Sequence, residues 1–354
     1  MVGIIFCNNL YMCPYIYKYI DILEENGIEY EIIIWDRIGS GEESPNVISF
    51  SYKSKQLKPR GFKILDYIKF TKFLRERIKK VSYDKIIVMY TITGIICYDI
   101  LTSCYKGNYL FDFRDITYEK FPLYKRIVKR LIRNSNFTCV SSEGFLKILG
   151  DSNCVIAHNF KYERLNNRKE FNENMIQKKE IKLLFIGVSR GDEFNCHIIS
   201  LFGGDKRFKI LFVGEGCDSK KTLNCAKLFS NITVKGIYKE REKDSFLENC
   251  DMLLYYYPPS FVNKYALANK YYDGLINYKP LISSMGTYSG ERVTKAGVGL
   301  SVDFYSGNPA NEIYEYYVGL DWSDYVKNVH EELDKVVSED QIYIERTKKY
   351  LLTK

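Results

Sequence analysis

The 354-residue chain is longer than one ordinary α/β domain and comfortable for two. A hydrophobic share of 46%, with aromatics at 15%, is ample for two cores and excludes a disordered chain. The net charge of +8 is modest, and no apolar run reaches the ~18 uncharged residues of a membrane span.

In chain order, short apolar runs alternate with segments of helical period, the pattern of a parallel sheet covered by helices. The opening MVGIIFCNN has strand length and lacks the basic start of a signal peptide. Strands are expected at Val2–Cys7, Glu31–Ile34, Val47–Phe50, Lys85–Met89, Tyr109–Asp112, Phe137–Val140 and Cys154–Ala157. A helix over Tyr15–Glu25 stops at Asn26-Gly27. Residues 161–180 are polar, charged and without apolar period, which reads as a linker. The alternation restarts at Lys182–Ile186, Lys209–Val213, Ile232–Lys235, Asp251–Leu254, Leu281–Ser283 and Gly299–Ser301. The expected fold class is α/β, with two Rossmann-like domains facing each other across a cleft. Their expected bounds are 1–165 and 180–334. A charged helix at about 335–354 either ends the second domain or packs back on the first.

Positive charge is focused in two stretches. Residues 58–80 hold nine Lys/Arg against Asp66 and Glu76, and residues 120–133 hold six with no acid. In the second, Tyr124, Ile127, Val128, Leu131 and Ile132 form an apolar stripe opposite Lys125, Arg126, Lys129, Arg130 and Arg133. In the first, Ile64, Tyr67, Ile68, Phe73 and Leu74 are the residues expected to be buried. Such faces suit an anionic membrane surface; nucleic acid is disfavoured, because no recognition module accompanies the charge. Ten cysteines without a C-x-x-C pair, and three distant histidines, read as buried thiols in a reducing cytoplasm, with no metal expected.

Neither half carries G-x-G-x-x-G after its first strand, nor G-x-x-x-x-G-K-[ST], which disfavours nicotinamide dehydrogenases and P-loop enzymes. Gly187 allows a sharp turn after a strand, and Arg190 offers a fork for phosphate oxygens. A second loop, Val213-Gly214-Glu215-Gly216, follows the next strand. Lys270 and Asp273 stand one helical turn apart, with Asp273 seven residues before Pro280.

The succession LLFIG, ILFVGEG, NITVKGIY, ENCDMLLYYYPP, NKYYDGLINYKPLISS and AGVGLSVD resembles the C-terminal domain of two-domain (GT-B type) retaining glycosyltransferases. It is similar to family 4-like enzymes of bacterial capsular and surface polysaccharide synthesis that carry a K-[LY]-Y-[DE]-x-[LI] helix. The resemblance covers about residues 181–303 well and 1–160 only in pattern. It implies that Asp273 accepts the ribose hydroxyls of a nucleoside diphosphate-sugar, that Lys270 meets its phosphates, and that Tyr238 stacks on its base. His158-Asn159 resembles the family's hinge. Tyr265 stands where the family has a first glutamate, and Tyr278 where it has glycine. The acceptor domain lacks the family's glycine pair and histidine, leaving Asp115 to orient or deprotonate an acceptor hydroxyl, with Glu119 second.

The expected catalytic residues are thus Asp115, Arg190 and Lys270. The expected donor-binding residues are Gly187, Arg190, Gly216, Tyr238, Lys270 and Asp273, with no cofactor beyond the donor itself. The expected acceptor is a lipid-linked glycan, at the inner face of a membrane touched by residues 58–80 and 120–133. A sugar-nucleotide 2-epimerase and a non-catalytic scaffold are the alternatives.

Overall fold

The computed structural model describes residues 1–41, 44–54, 60–150, 153–160, 162–172, 180–189 and 191–353, with residues 60–63 in backbone only. Among the described residues, thirteen strands form two parallel sheets. The first sheet comprises β1 (Val2–Phe6), β2 (Tyr30–Asp36), β3 (Val47–Ser51), β4 (Lys85–Met89), β5 (Tyr109–Phe113), β6 (Phe137–Val140) and β7 (Cys154–Ile156). The second comprises β8 (Ile181–Ile186), β9 (Phe208–Val213), β10 (Ile232–Lys235), β11 (Met252–Tyr255), β12 (Leu281–Ser284) and β13 (Gly299–Val302). The orders are β3-β2-β1-β4-β5-β6-β7 and β10-β9-β8-β11-β12-β13. Each sheet reverses direction at its first strand, so β1 and β8 are the switch points where open α/β sheets present ligand sites.

Strands covered on both faces read as unbroken apolar runs, and β8 illustrates why. Successive side chains point to opposite faces. Leu184 and Ile186 join a core with Tyr271 and Leu275, whereas Leu183 and Phe185 join another with Phe194 and Ile198.

The chain divides into two compact units, Met1–His158 with Ser338–Lys354, and Asn159–Val337. The boundary precedes the compositional linker because Phe160 enters the second unit's core and Tyr162, Leu165 and Phe171 pack against it. The helix Trp322–Leu352 serves both units. Tyr325, Val329, Leu333 and Val336 lie in the second core, while Tyr343, Tyr350 and Leu351 lie in the first.

Two expectations require correction. Cys196 and Cys225 are disulfide-bonded, joining the helices Asp192–Phe202 and Lys220–Ala226 with Cα atoms 5.7 Å apart. Their 29-residue separation carries no sequence signal; the βαβα repeat brings the two helices side by side. On the helix Arg60–Val81, Ile64 and Ile68 are exposed, and the buried positions among its described side chains are Asp66, Phe70 and Leu74. The cause is an aromatic cluster: Trp35 stacks on Phe70 at 5.7 Å and meets Tyr67 edge-on, while Phe50 packs against Phe73.

Asp112 on β5 and Arg114 just beyond it are a buried pair. Arg114 Nε donates to Asp112 Oδ1 at 2.5 Å and Nη1 to the Ala157 carbonyl at 2.6 Å. The Tyr19 hydroxyl donates to Asp112 Oδ2 at 2.6 Å. Arg114→Ala leaves the Asp112 carboxylate buried without its counter-charge, and should lower unfolding stability by about 3–5 kcal/mol in a urea titration; an unchanged midpoint would contradict this role.

Candidate functional site

Gly187, with φ +119°, directly follows β8, and Gly214, with φ +130°, directly follows β9. A methyl group on Gly214 would stand 2.1 Å from the Gly187 carbonyl oxygen, and one on Gly216 2.8 Å from that of Ser189. Glycine is therefore required sterically as well as conformationally. The two loops are stitched together by the Gly187 N–H donating to the Val213 carbonyl (3.0 Å) and the Ser189 N–H donating to that of Glu215 (2.8 Å). Behind them, Asn195 Nδ2 donates to Ser189 Oγ at 2.7 Å, and the Tyr256 hydroxyl donates to Asn195 Oδ1 at 3.0 Å.

Lys270 begins the helix Lys270–Ile276 and reaches back to this turn. The position a Gly187 side chain would fill is 3.5 Å from Lys270 Cε. Lys270 is only 5% exposed, and among the described residues its Nζ makes no hydrogen bond. The ammonium lies 3.4 Å from the Phe185 ring centroid and 5.1 Å from that of Tyr257. Burial pulls its pKa down to about 7, while Cys217 and Asp273 act in the opposite direction. The aromatic faces also favour the charged form without satisfying its donors.

Asp273, one turn further on, is equally buried. Arg164 Nη1 donates to its Oδ1 at 2.7 Å, and Lys243 Nζ stands 3.0 Å from its Oδ2. Arg164 Nη2 simultaneously reaches Asp244 at 2.9 Å. Sequence reasoning missed Arg164 and Lys243, which lie 109 and 30 positions from Asp273 and belong to no motif. Tyr238 is half-buried, meets Phe246 edge-on at 5.9 Å, and feels the charges of Asp273 and Arg164. Burial pushes its phenol up to about 12.

Gly187, Gly216, Tyr238, Lys270 and Asp273 all belong to the second unit, and the Lys270 side chain touches the Gly187 turn. Arg190 lies outside the described residues. Asp192 and Glu193 occupy the first turn of the helix Asp192–Phe202, so its N-terminal dipole already faces two carboxylates. Tyr265 packs edge-on against Phe261. Tyr278 takes a positive φ of 53°, the conformation glycine adopts readily, and its hydroxyl bonds His330 Nε2 at 2.8 Å.

Asp115 belongs to the first unit, as an exposed residue whose carbonyl accepts from the Thr91 hydroxyl at 2.9 Å. Glu119 is buried and accepts from the Thr117 N–H at 2.5 Å; burial raises its pKa. His158 is buried too, with Nε2 2.6 Å from Glu339 and its N–H donating to Asp340 at 3.0 Å.

No family model matches the sequence, and no curated protein matches it. Solved structures share the fold. A glycosyltransferase from Rickettsia africae superposes with TM-score 0.68 at 13% identity, over 100% of this chain and 99% of its own. The sucrose-phosphate synthase of Thermosynechococcus elongatus gives 0.64 at 13% identity, over 97% and 98%. The lipopolysaccharide outer core galactosyltransferase WaaB gives 0.64 at 11% identity, over 93% and 94%. The fold is that of the two-domain GT-B glycosyltransferases.

The Lys270 ammonium also gives a stability signature. Between pH 7 and the ordinary lysine value of 10.5, the unfolded chain holds a proton that the folded one has lost, so stability should rise with pH across that window. Below pH 7 both states are protonated and the burial cost is complete. Lys270→Met should abolish the rise and stabilise the ligand-free protein near pH 7 by on the order of a few kcal/mol. Melting temperatures of both proteins from pH 6.5 to 10 check this, and parallel profiles would contradict it.

Proposed function

We propose that the protein is a glycosyltransferase that moves a sugar from a nucleoside diphosphate donor to a lipid-linked glycan acceptor in surface polysaccharide assembly. What supports this is the buried ammonium of Lys270, without a hydrogen-bond partner among the described residues, against a glycine turn at the switch point of a parallel sheet. As the bond from sugar to diphosphate breaks, negative charge grows on the leaving oxygens. A desolvated cation held in advance stabilises that charge far more than water does. An arriving diphosphate raises the lysine's pKa, so binding near pH 7 takes up a proton. Asp273 accepts the ribose hydroxyls when Arg164 releases its Oδ1, and Arg164 stays anchored through Asp244. Tyr238 borders the base, and exposed Asp115 takes the acceptor's proton.

The acceptor's lipid fits the surface of the first unit. Lys125, Arg126, Lys129 and Arg133 line one shallow groove with Gly150, and among the described residues none of the four forms an ion pair. These cations stand on the helix Pro122–Asn134, at whose start Phe121 and Leu123 are exposed at 52% and 72%. Exposed apolar residues beside clustered cations suit the boundary of an anionic bilayer, where each cation contributes about 1 kcal/mol. No helix among the described residues is long and apolar enough to cross a membrane.

Calorimetry with UDP, GDP, ADP and dTDP should find one that binds, weakened by roughly 1–3 kcal/mol in Asp273→Ala and at least as much in Lys270→Met. In turnover, Asp115→Asn should lower kcat and leave that affinity unchanged. Nucleotide affinity equal in all variants, or absent from the wild type, would exclude the donor site.

Reversing charge at Lys125, Lys129 and Arg133 together should release the protein from phosphatidylserine-containing vesicles at unchanged melting temperature. Binding that persists in the triple variant would exclude the membrane face.

A further inference from the structure

On the second unit, the ends of β11, β12 and β13 surround a cavity of about 310 Å³. One side chain joins it to the glycine turns. Tyr257 lines the cavity, and its ring centroid is 5.1 Å from Lys270 Nζ. The cavity therefore begins one aromatic ring away from the buried ammonium.

Its wall is Tyr305, which is 62% exposed yet fixed from three directions. The ring stacks on His197 at 4.9 Å with 9° between planes, and on Phe194 at 5.7 Å with 28°. His197 is itself held, Nε2 lying 2.6 Å from the Phe304 carbonyl oxygen. The Asp303 carboxylate accepts from the Tyr305 N–H at 2.9 Å and from the Ser306 hydroxyl at 2.7 Å, pinning the turn that presents the ring. An exposed tyrosine needs no explanation in general. A tyrosine backed by two rings that also lines a cavity is a prepared contact.

Polar residues in its lining are Lys264, Ser260, Ser284, Thr287 and Asp303. An open aromatic face carries negative potential and suits the weakly positive C–H face of a sugar ring, while the surrounding donors and acceptors suit its hydroxyls. An acyl chain would leave those polar groups desolvated and unpaired. We infer that this cavity is a pyranose subsite with Tyr305 as its platform. The assignment rests on the proposed glycosyl transfer only for the source of the ring. That source is the sugar of the donor, whose diphosphate would lie across Tyr257, or a sugar unit of the acceptor.

Titrations of UDP, GDP, ADP and dTDP, and of the glucose conjugate of each, are run beside a glycan array on the wild type, Tyr305→Ala and Tyr305→Phe. Tyr305→Ala should weaken sugar binding about tenfold, equivalent to about 1.4 kcal/mol, and Tyr305→Phe should retain it. The bare nucleoside diphosphates should bind all three proteins alike. A loss confined to a glucose conjugate assigns the cavity to the donor's sugar, and one confined to array glycans assigns it to the acceptor. If no nucleoside diphosphate binds the wild type, the donor reading fails while the array still tests the cavity. Sugar binding unchanged in a folded Tyr305→Ala protein, or absent from both arms, overturns the subsite.

Discussion

The ammonium of Lys270, held out of water against the face of Phe185, is the constraint around which the second unit is organised. A lone buried charge costs several kcal/mol, a large share of the 5–15 kcal/mol by which a domain is stable. The neighbouring glycines follow from the same need for access: any side chain at Gly187 would stand against the lysine's Cε, and one at Gly214 would collide with the Gly187 carbonyl. Other buried cations are treated differently. Arg114 answers Asp112, Arg292 answers Glu332 at 2.7 Å, and Lys279 donates to the Cys250 carbonyl at 2.6 Å. Against that background, an ammonium without a hydrogen-bond partner among the described residues is the exception, and the proposed donor diphosphate is the counter-charge it would meet.

The thirteen strands were legible because each is an apolar run bounded by polar turns, and a parallel sheet covered on both faces demands such runs. The Lys270–Asp273 spacing was legible for a related reason, since both stand on one short helix whose end Pro280 announces. What escaped was whatever depends on three-dimensional proximity. Arg164 and Lys243 converge on Asp273 from distant parts of the chain, and Cys196 meets Cys225 only because two loops of equal design lead into neighbouring helices. The burial pattern of the helix Arg60–Val81 was misjudged for a complementary reason. Helical period identifies an apolar stripe, but Trp35 and Phe50 select the part of it that is covered.

Tyr278 shows how a residue other than glycine is accommodated in a left-handed conformation. The left-handed conformation that glycine adopts without cost is retained, and a buried ring bonded to His330 holds it in place.

The helix Trp322–Leu352 bears on the order of events during synthesis. The first unit's core is incomplete without Tyr343, Tyr350 and Leu351, and the Tyr350 hydroxyl bonds the carbonyls of Ile86 (3.2 Å) and Asn108 (2.9 Å). Those residues leave the ribosome only after all of Asn159–Val337. Domains usually mature in the order in which they are made. Here, of the two sheets, the one translated first is closed second, so the nascent chain carries it unfinished until the helix Trp322–Leu352 emerges.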